Sequence, residues 1–99
     1  MTSGVEIDAH RIAAAVRAGP HIAGLDGGRV GEIATYLPGR RVRGVRIRPD
    51  AVTIGVIGRY PATVAVIAAC VRDAVGPLDR PVHVRVTDLA APPDTVPTD

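Results

Sequence analysis

Five arginines, Arg40, Arg41, Arg43, Arg46 and Arg48, crowd into residues 40–48, a stretch that holds no acid. Guanidinium groups at this density can grip phosphate oxygens or carboxylates in bidentate pairs, so the chemistry on offer is anion recognition. Other constellations are weaker. Metal binding would need His10, His21, His83 and Cys70 to converge, yet no two of them stand about two to five residues apart, the spacing of a recognisable site. No metal or other cofactor is expected. Cys70 falls where no helix N-terminus or adjacent cation would stabilise a thiolate, so it reads as a small apolar filler and not as a nucleophile. The acids are scattered over turns and ends, which leaves no convergent acid, base or nucleophile and no expected enzyme activity. Gly28-Arg29-Val30-Gly31 has the G-x-x-G form with which KH domains clamp a nucleic-acid backbone. A KH loop joins two helices, whereas this one lies between a helix and an expected strand, so a plain turn is the better reading.

The elements that must position the arginines follow from hydrophobic period. Residues 5–18 read as a helix with Ala9, Ile12, Ala13 and Val16 on one stripe, stopped by Gly19-Pro20. Residues 22–31 are Gly-rich and read as turn, and residues 32–37 alternate weakly as a strand before Pro38-Gly39. Strands are expected over 42–48 and 52–59, joined as a hairpin by Pro49-Asp50. A second helix is expected over 61–75, with Pro61 in its first turn, Gly76-Pro77 after it and Val64, Ile67, Ala68, Val71 and Val75 as its core stripe. A last strand covers 82–89, where Val82, Val84 and Val86 alternate with His83, Arg85 and Thr87. The resulting fold class is α+β: two helices on one face of a three- to four-stranded mixed or antiparallel sheet, in the order α-(β)-β-β-α-β. Residues 1–89 form a single domain in this reading, and 90–99, rich in Pro and Asp, a disordered tail.

If the valines and isoleucines of these strands face the helices, Arg46, Arg48, Arg59, Arg85 and His83 project together from the opposite face. Two uses of such a basic sheet stand open: a binding surface for phosphate or an acidic partner, or a solvated face whose charge maintains solubility. Nucleic-acid sheets usually add aromatic rings for base stacking, and this face has none. The second helix points elsewhere. Ala62, Val66, Ala69 and Cys70 lie off its core stripe and are still apolar, so it calls for cover on a second side, either from the first helix or from another subunit. Self-association through Val66 and Cys70 is therefore expected.

Composition narrows the setting. The chain has 99 residues, Phe and Trp are absent, and the net charge is only +2 with every basic residue an arginine. The core must be aliphatic, and no long-range field draws nucleic acid or anionic lipid to the whole molecule. The longest apolar run, 64–71, is far short of the roughly 20 residues that span a bilayer, and the N-terminal residues do not form a signal peptide. With one cysteine and neither of those segments, the expected location is cytoplasmic, without direct membrane insertion.

The order of elements and several phrases resemble the alkaline shock protein family, the small envelope stress response proteins of Gram-positive bacteria. The resemblance spans about residues 5–89 and is carried by the opening helix, Ile22-Ala23-Gly24-Leu25, Arg59-Tyr60 leading into the second helix, and the closing VHVRVTDL. GEIATYLPGRRV, residues 31–42, looks like the actinobacterial branch in particular. Pro61 stands where a Gly is common after the Tyr, and the Pro/Asp tail is a second departure. The resemblance implies a non-enzymatic protein that self-associates, with a role in envelope homeostasis and, in some members, a membrane-anchored protein partner that holds it at the inner face of the membrane. It supplies no functional residue to carry over. A small nucleic-acid-binding module using Arg40 to Arg48 with Arg59 and Arg85 is the alternative.

Overall fold

The computed structural model describes residues 4–91. Its elements are α1 (Gly4–Arg17), β1 (Ile22–Leu25), β2 (Ala34–Leu37), β3 (Arg40–Arg43), β4 (Val45–Arg48), β5 (Ala51–Arg59), α2 (Val64–Val75) and β6 (Val82–Ala90). The fold class is α+β, as the periodicity predicts. β5 is the hub of a four-stranded mixed sheet. It pairs antiparallel with β1 and β4 and parallel with β6, while β2 and β3 form a separate two-stranded hairpin. The parallel β5–β6 pair requires a crossover, and α2 supplies it.

The core follows from alternation. Val45 lies opposite Ile54, Ile47 opposite Val52, and Val52, Ile54 and Val56 opposite Val82, Val84 and Val86, which places all of them on one face. The helices close that face. Ala9, Ile12, Ala13 and Val16 of α1 and Ile67 and Val71 of α2 are buried with Val45, Val52, Ile54 and Val56 in one aliphatic cluster. Each buried Val or Ile side chain contributes roughly 1.5–3 kcal/mol relative to leaving it in water.

Four details differ from the sequence reading. Ile22–Leu25 is a strand and not a turn, because Ile22 is buried in the core and β1 completes the edge of β5 above β4. The strand expected over 42–48 breaks at Gly44, whose φ of 89° only glycine adopts freely. Gly44 donates to the Ile33 carbonyl at 2.8 Å and accepts from Gly55 N–H at 2.9 Å, so the chain before it joins β2 and the chain after it joins β5. α2 begins at Val64, three residues later than expected, because Thr63 is its N-cap and accepts from Val66 N–H at 3.2 Å. Val64 is consequently in the first turn and 58% exposed, not part of the core stripe, and Ala68 and Val75 are only half-buried. β6 runs on to Ala90, and the expected tail lies outside the described residues from 92 onward.

Candidate functional site

The register of the strands places Arg46, Arg48, Arg59, Arg85 and His83 on the sheet face opposite the helices, as the alternation predicts. That face is not an open basic platform. The chain from Asp26 to Ile33 lies across it: Ile33 is fully buried, and a Cβ added to Gly55 would run into the Asp26 carbonyl oxygen and stand 2.9 Å from Ile33 Cδ1. The same segment brings in Glu32. Arg85 Nη1 donates to Glu32 Oε2 at 3.1 Å, and Arg46 Nη1 donates to the Glu32 carbonyl oxygen at 3.3 Å. Arg46 Nε is buried without a hydrogen-bond partner among the described residues. Arg46, one of the five arginines within 40–48, and the distant Arg85 are thus both drawn onto Glu32, the first at its carbonyl oxygen and the second at its carboxylate.

Glu32 also settles what the G-x-x-G turn does. Its Oε1 accepts from Val30 N–H at 3.2 Å, and its carboxyl group packs under Gly28, where a Cβ would stand 2.6 Å away. The turn therefore holds a carboxylate of its own chain where a phosphate would have to go. Its own backbone N–H and then the Val30 N–H hold the Glu32 carboxyl below the ordinary carboxylate range; desolvation opposes them by less than either, and the Arg85 guanidinium adds a smaller downward pull.

The remaining arginines are distributed differently. Arg41 and Arg43 share the outer face of the β2–β3 hairpin with Tyr36, which is directly opposite Arg41 and 69% exposed. Arg40 falls on the hairpin's other face, in line with buried Val42 and Thr35, where Thr35 Oγ1 donates to the Val45 carbonyl at 2.6 Å. Arg43 makes a long ion pair with Asp26 at 3.6 Å. Arg29, Arg41 and Arg43 border a cleft of about 300 Å³ together with Gly28 and Val30. Arg48 ends β4, its carbonyl taken by Arg80 at 2.8 Å, and Arg59 is exposed at the far end of β5.

No family model, curated protein or solved structure matches the chain. The candidate site therefore rests on geometry. Among the described residues no three His, Cys, Asp or Glu side chains come together, and no helix is long and apolar enough to cross a membrane.

The apolar candidates separate as well. Cys70 is half-buried and turned toward the end of α1, since a Cβ on Gly19 would lie 2.9 Å from its Sγ. The turn that follows the first helix thus covers part of Cys70, while Val66 stays 43% exposed. The structure adds two further exposed apolar residues, Leu89 and Val64, the second of which periodicity assigns to the core stripe. Val64 is 58% exposed and Leu89 41%, and Leu89 reaches toward the same point above Gly58 as Ile67 of α2. Alongside them Val82, Val84 and Val86 are only half-buried, because β6 is the last strand of its sheet. A partial signal for this surface was present in the sequence: the nine residues of β6 contain no Pro, and their two charges, Arg85 and Asp88, are of opposite sign.

Proposed function

We propose that this chain is a non-enzymatic interaction module that associates with a second copy of itself, and with an anchored protein partner, through the surface formed by the start of α2 and the edge strand β6. The observation that carries this reading is the apolar exposure gathered there: Val64, Val66 and Leu89 beside a strand whose valines are half-covered. Aliphatic side chains on an uncovered strand edge favour burial against another chain over retention in water. The resemblance to the alkaline shock proteins supplies the setting, envelope homeostasis at the inner face of the membrane, reached through a partner and not by insertion. Size-exclusion chromatography with light scattering over a wide concentration range tests the reading. A mass above one chain that falls on dilution, and falls further in Val66→Asp, is the expected result. A single-chain mass throughout would remove self-association and leave only the anchored partner.

The outer face of the β2–β3 hairpin favours a second reading, a small nucleic-acid-binding module. Exposed Tyr36 next to Arg41 and Arg43 is the pairing of an aromatic ring with phosphate-seeking cations that single-stranded nucleic acid uses. The aromatic residue lacking from the main sheet is here on the hairpin. Binding of a fluorescent oligonucleotide should then weaken steeply with salt and be lost in Arg41→Glu/Arg43→Glu, while Arg48→Glu changes little. Absence of binding at low salt would exclude it.

A further inference from the structure

β6 is paired on one side only, and the direction of its main-chain groups can be assigned residue by residue. Val52 N–H donates to the Pro81 carbonyl and Tyr60 N–H to the Ala90 carbonyl, both at 2.9 Å, so both ends of the strand have groups turned toward β5. The N–H and C=O of one residue leave a strand on the same edge, and successive residues alternate. Val82, Val84 and Val86 therefore present theirs to the outside. The Val82 carbonyl accordingly accepts from Arg72 Nη2 at 3.3 Å. Between Val86 and Asp88 the register shifts by one residue, Thr87 being the extra one. The shift resets the alternation, so that Leu89 points outward while Asp88 and Ala90 point toward β5.

That extra residue decides how β6 can meet a copy of itself. In an unbroken strand, residues separated by an odd number of positions lie on opposite faces and cannot oppose one another across a two-fold axis. With Thr87 inserted, Arg85 and Asp88 share one face and Val84 and Leu89 the other. Antiparallel pairing about an axis between Val86 and Thr87 then places Arg85 opposite Asp88 of the second copy and Val84 opposite Leu89, twice over. Val84 and Leu89 carry the outward main-chain groups and form the hydrogen-bonded pairs; the Leu89 N–H, which donates to Asp88 Oδ1 at 2.8 Å in the single chain, exchanges that acceptor for the Val84 carbonyl of the second copy and releases the carboxylate to Arg85. Arg85 and Asp88 fall in the closer, non-hydrogen-bonded position, where opposite charges stabilise a ladder. A register centred on Val84 also matches faces, but it sets Arg85 against His83 of the second copy and carries Asp88 past Val82, the first residue of β6.

We propose that two copies of this chain join β6 to β6 as antiparallel neighbours, with Arg85 of each beside Asp88 of the other, making one sheet continuous through both. This inference rests on the self-association reading and adds its partner, axis and register. Glu32 contributes by holding Arg85 through Nη1 alone, which leaves further guanidinium donors for the second carboxylate.

Two experiments test the register. Mixed Arg85→Cys and Asp88→Cys chains, each also carrying Cys70→Ser, should form a disulfide-linked dimer under mild oxidation, since the close cross-strand position suits disulfide geometry. Mixed Arg85→Cys and His83→Cys chains should not. In parallel, Asp88→Arg should weaken dimerisation on the order of tenfold, from two lost attractions and two new repulsions. Arg85→Asp/Asp88→Arg should restore it. Circular dichroism on each variant separates lost pairing from lost folding. If the protein is dimeric but the Asp88→Arg variant dissociates no more readily and only the His83 mixture crosslinks, the edge register is overturned and self-association survives elsewhere. A wild-type chain that stays single at its highest soluble concentration overturns both.

Discussion

β5 and β6 are the two longest strands, nine residues each, parallel neighbours with the same alternation of small aliphatic residues, yet their burial differs completely. From Val52 to Val56 every residue of β5 is buried, whereas β6 alternates half-buried valines with exposed residues and has three exposed positions in a row, 87–89, before half-buried Ala90. On the core-facing side composition does not separate them, although the other side carries Thr53, Gly55 and Ile57 in β5 against His83, Arg85 and Asp88 in β6. Neighbours do: β5 has β1 and β4 along one edge, β6 along the other, helices over one face and the Asp26–Ile33 chain over the second. β6 has one strand beside it and α2 partly above it. A valine is therefore a core residue in one strand and an available contact in the other.

The largest effect expected from that difference lies at Gly55. A side chain there meets the Asp26 carbonyl oxygen, a backbone atom held by its own ladder, so Gly55→Ala should cost about 3 kcal/mol through overpacking. Gly24→Ala, with nothing within 4 Å of its Cβ, should be close to neutral. Urea midpoints of the two variants check both. If Gly55→Ala were equally mild, the chain over the second face would be displaceable and the contrast between the strands would weaken.

Next in size is a like-for-like pair. Val52 is 2% exposed, and Val52→Ala should cost about 2–3 kcal/mol from lost burial and the remaining cavity. Val84, its half-buried counterpart on β6, should cost about 1 kcal/mol as Val84→Ala, since part of its surface is wet already. Denaturation at two protein concentrations sharpens the point. Should the Val84 cost approach that of Val52 only at high concentration, a second copy is what covers it.

How much of this could be read in the sequence depends on the range of the interaction involved. The α1 stripe of Ala9, Ile12, Ala13 and Val16 and the alternation of β4, β5 and β6 were legible because their period is local. β1 was not. IAGL is too short to show a period and contains a glycine, and it is a strand because the edge of β5 above β4 is free to accept it. The division of the arginines was hidden for a related reason: Glu32 is 14 residues from Arg46 and 53 from Arg85. One signal was available, since Glu32 is the single acid between Asp26 and Asp50, a segment that contains the densest run of arginines. A lone acid in that setting invites a search for its cation. Tyr36 could likewise have been placed beside Arg41 once Pro38-Gly39 was read as a hairpin turn and not as a strand end.

A smaller effect bears on where α2 begins. Thr63→Ala removes the side chain that accepts from Val66 N–H, and an N-cap of this kind stabilises by about 1 kcal/mol. The same change should fray the first turn and loosen Val64 and Val66, so dimerisation should weaken along with stability if that turn takes part in the contact. Thermal melts together with light scattering read the two consequences separately. Loss of stability with unchanged association would confine the interface to β6.

The smallest expected effect concerns Glu32, which keeps the face behind β5 from behaving as a free basic surface. Its carboxyl group titrates below the ordinary value near 4.5, held down by backbone N–H groups and by Arg85. A carboxylate whose folded pKa is depressed stabilises the fold fully above its unfolded pKa, and the contribution fades as the pH falls through the folded one. Stability should therefore be flat in this respect at neutral pH and decline below about 4.5, with the decline shallower in Glu32→Gln. Carbon-detected NMR of the Glu32 carboxyl follows the titration directly. In Arg85→Gln it should move up toward the ordinary value without reaching it, because the N–H groups of Val30 and Glu32, the larger causes, remain. A full return to that value would make Arg85 the sole anchor and would leave the turn at Gly28 to Gly31 free to accept an external anion.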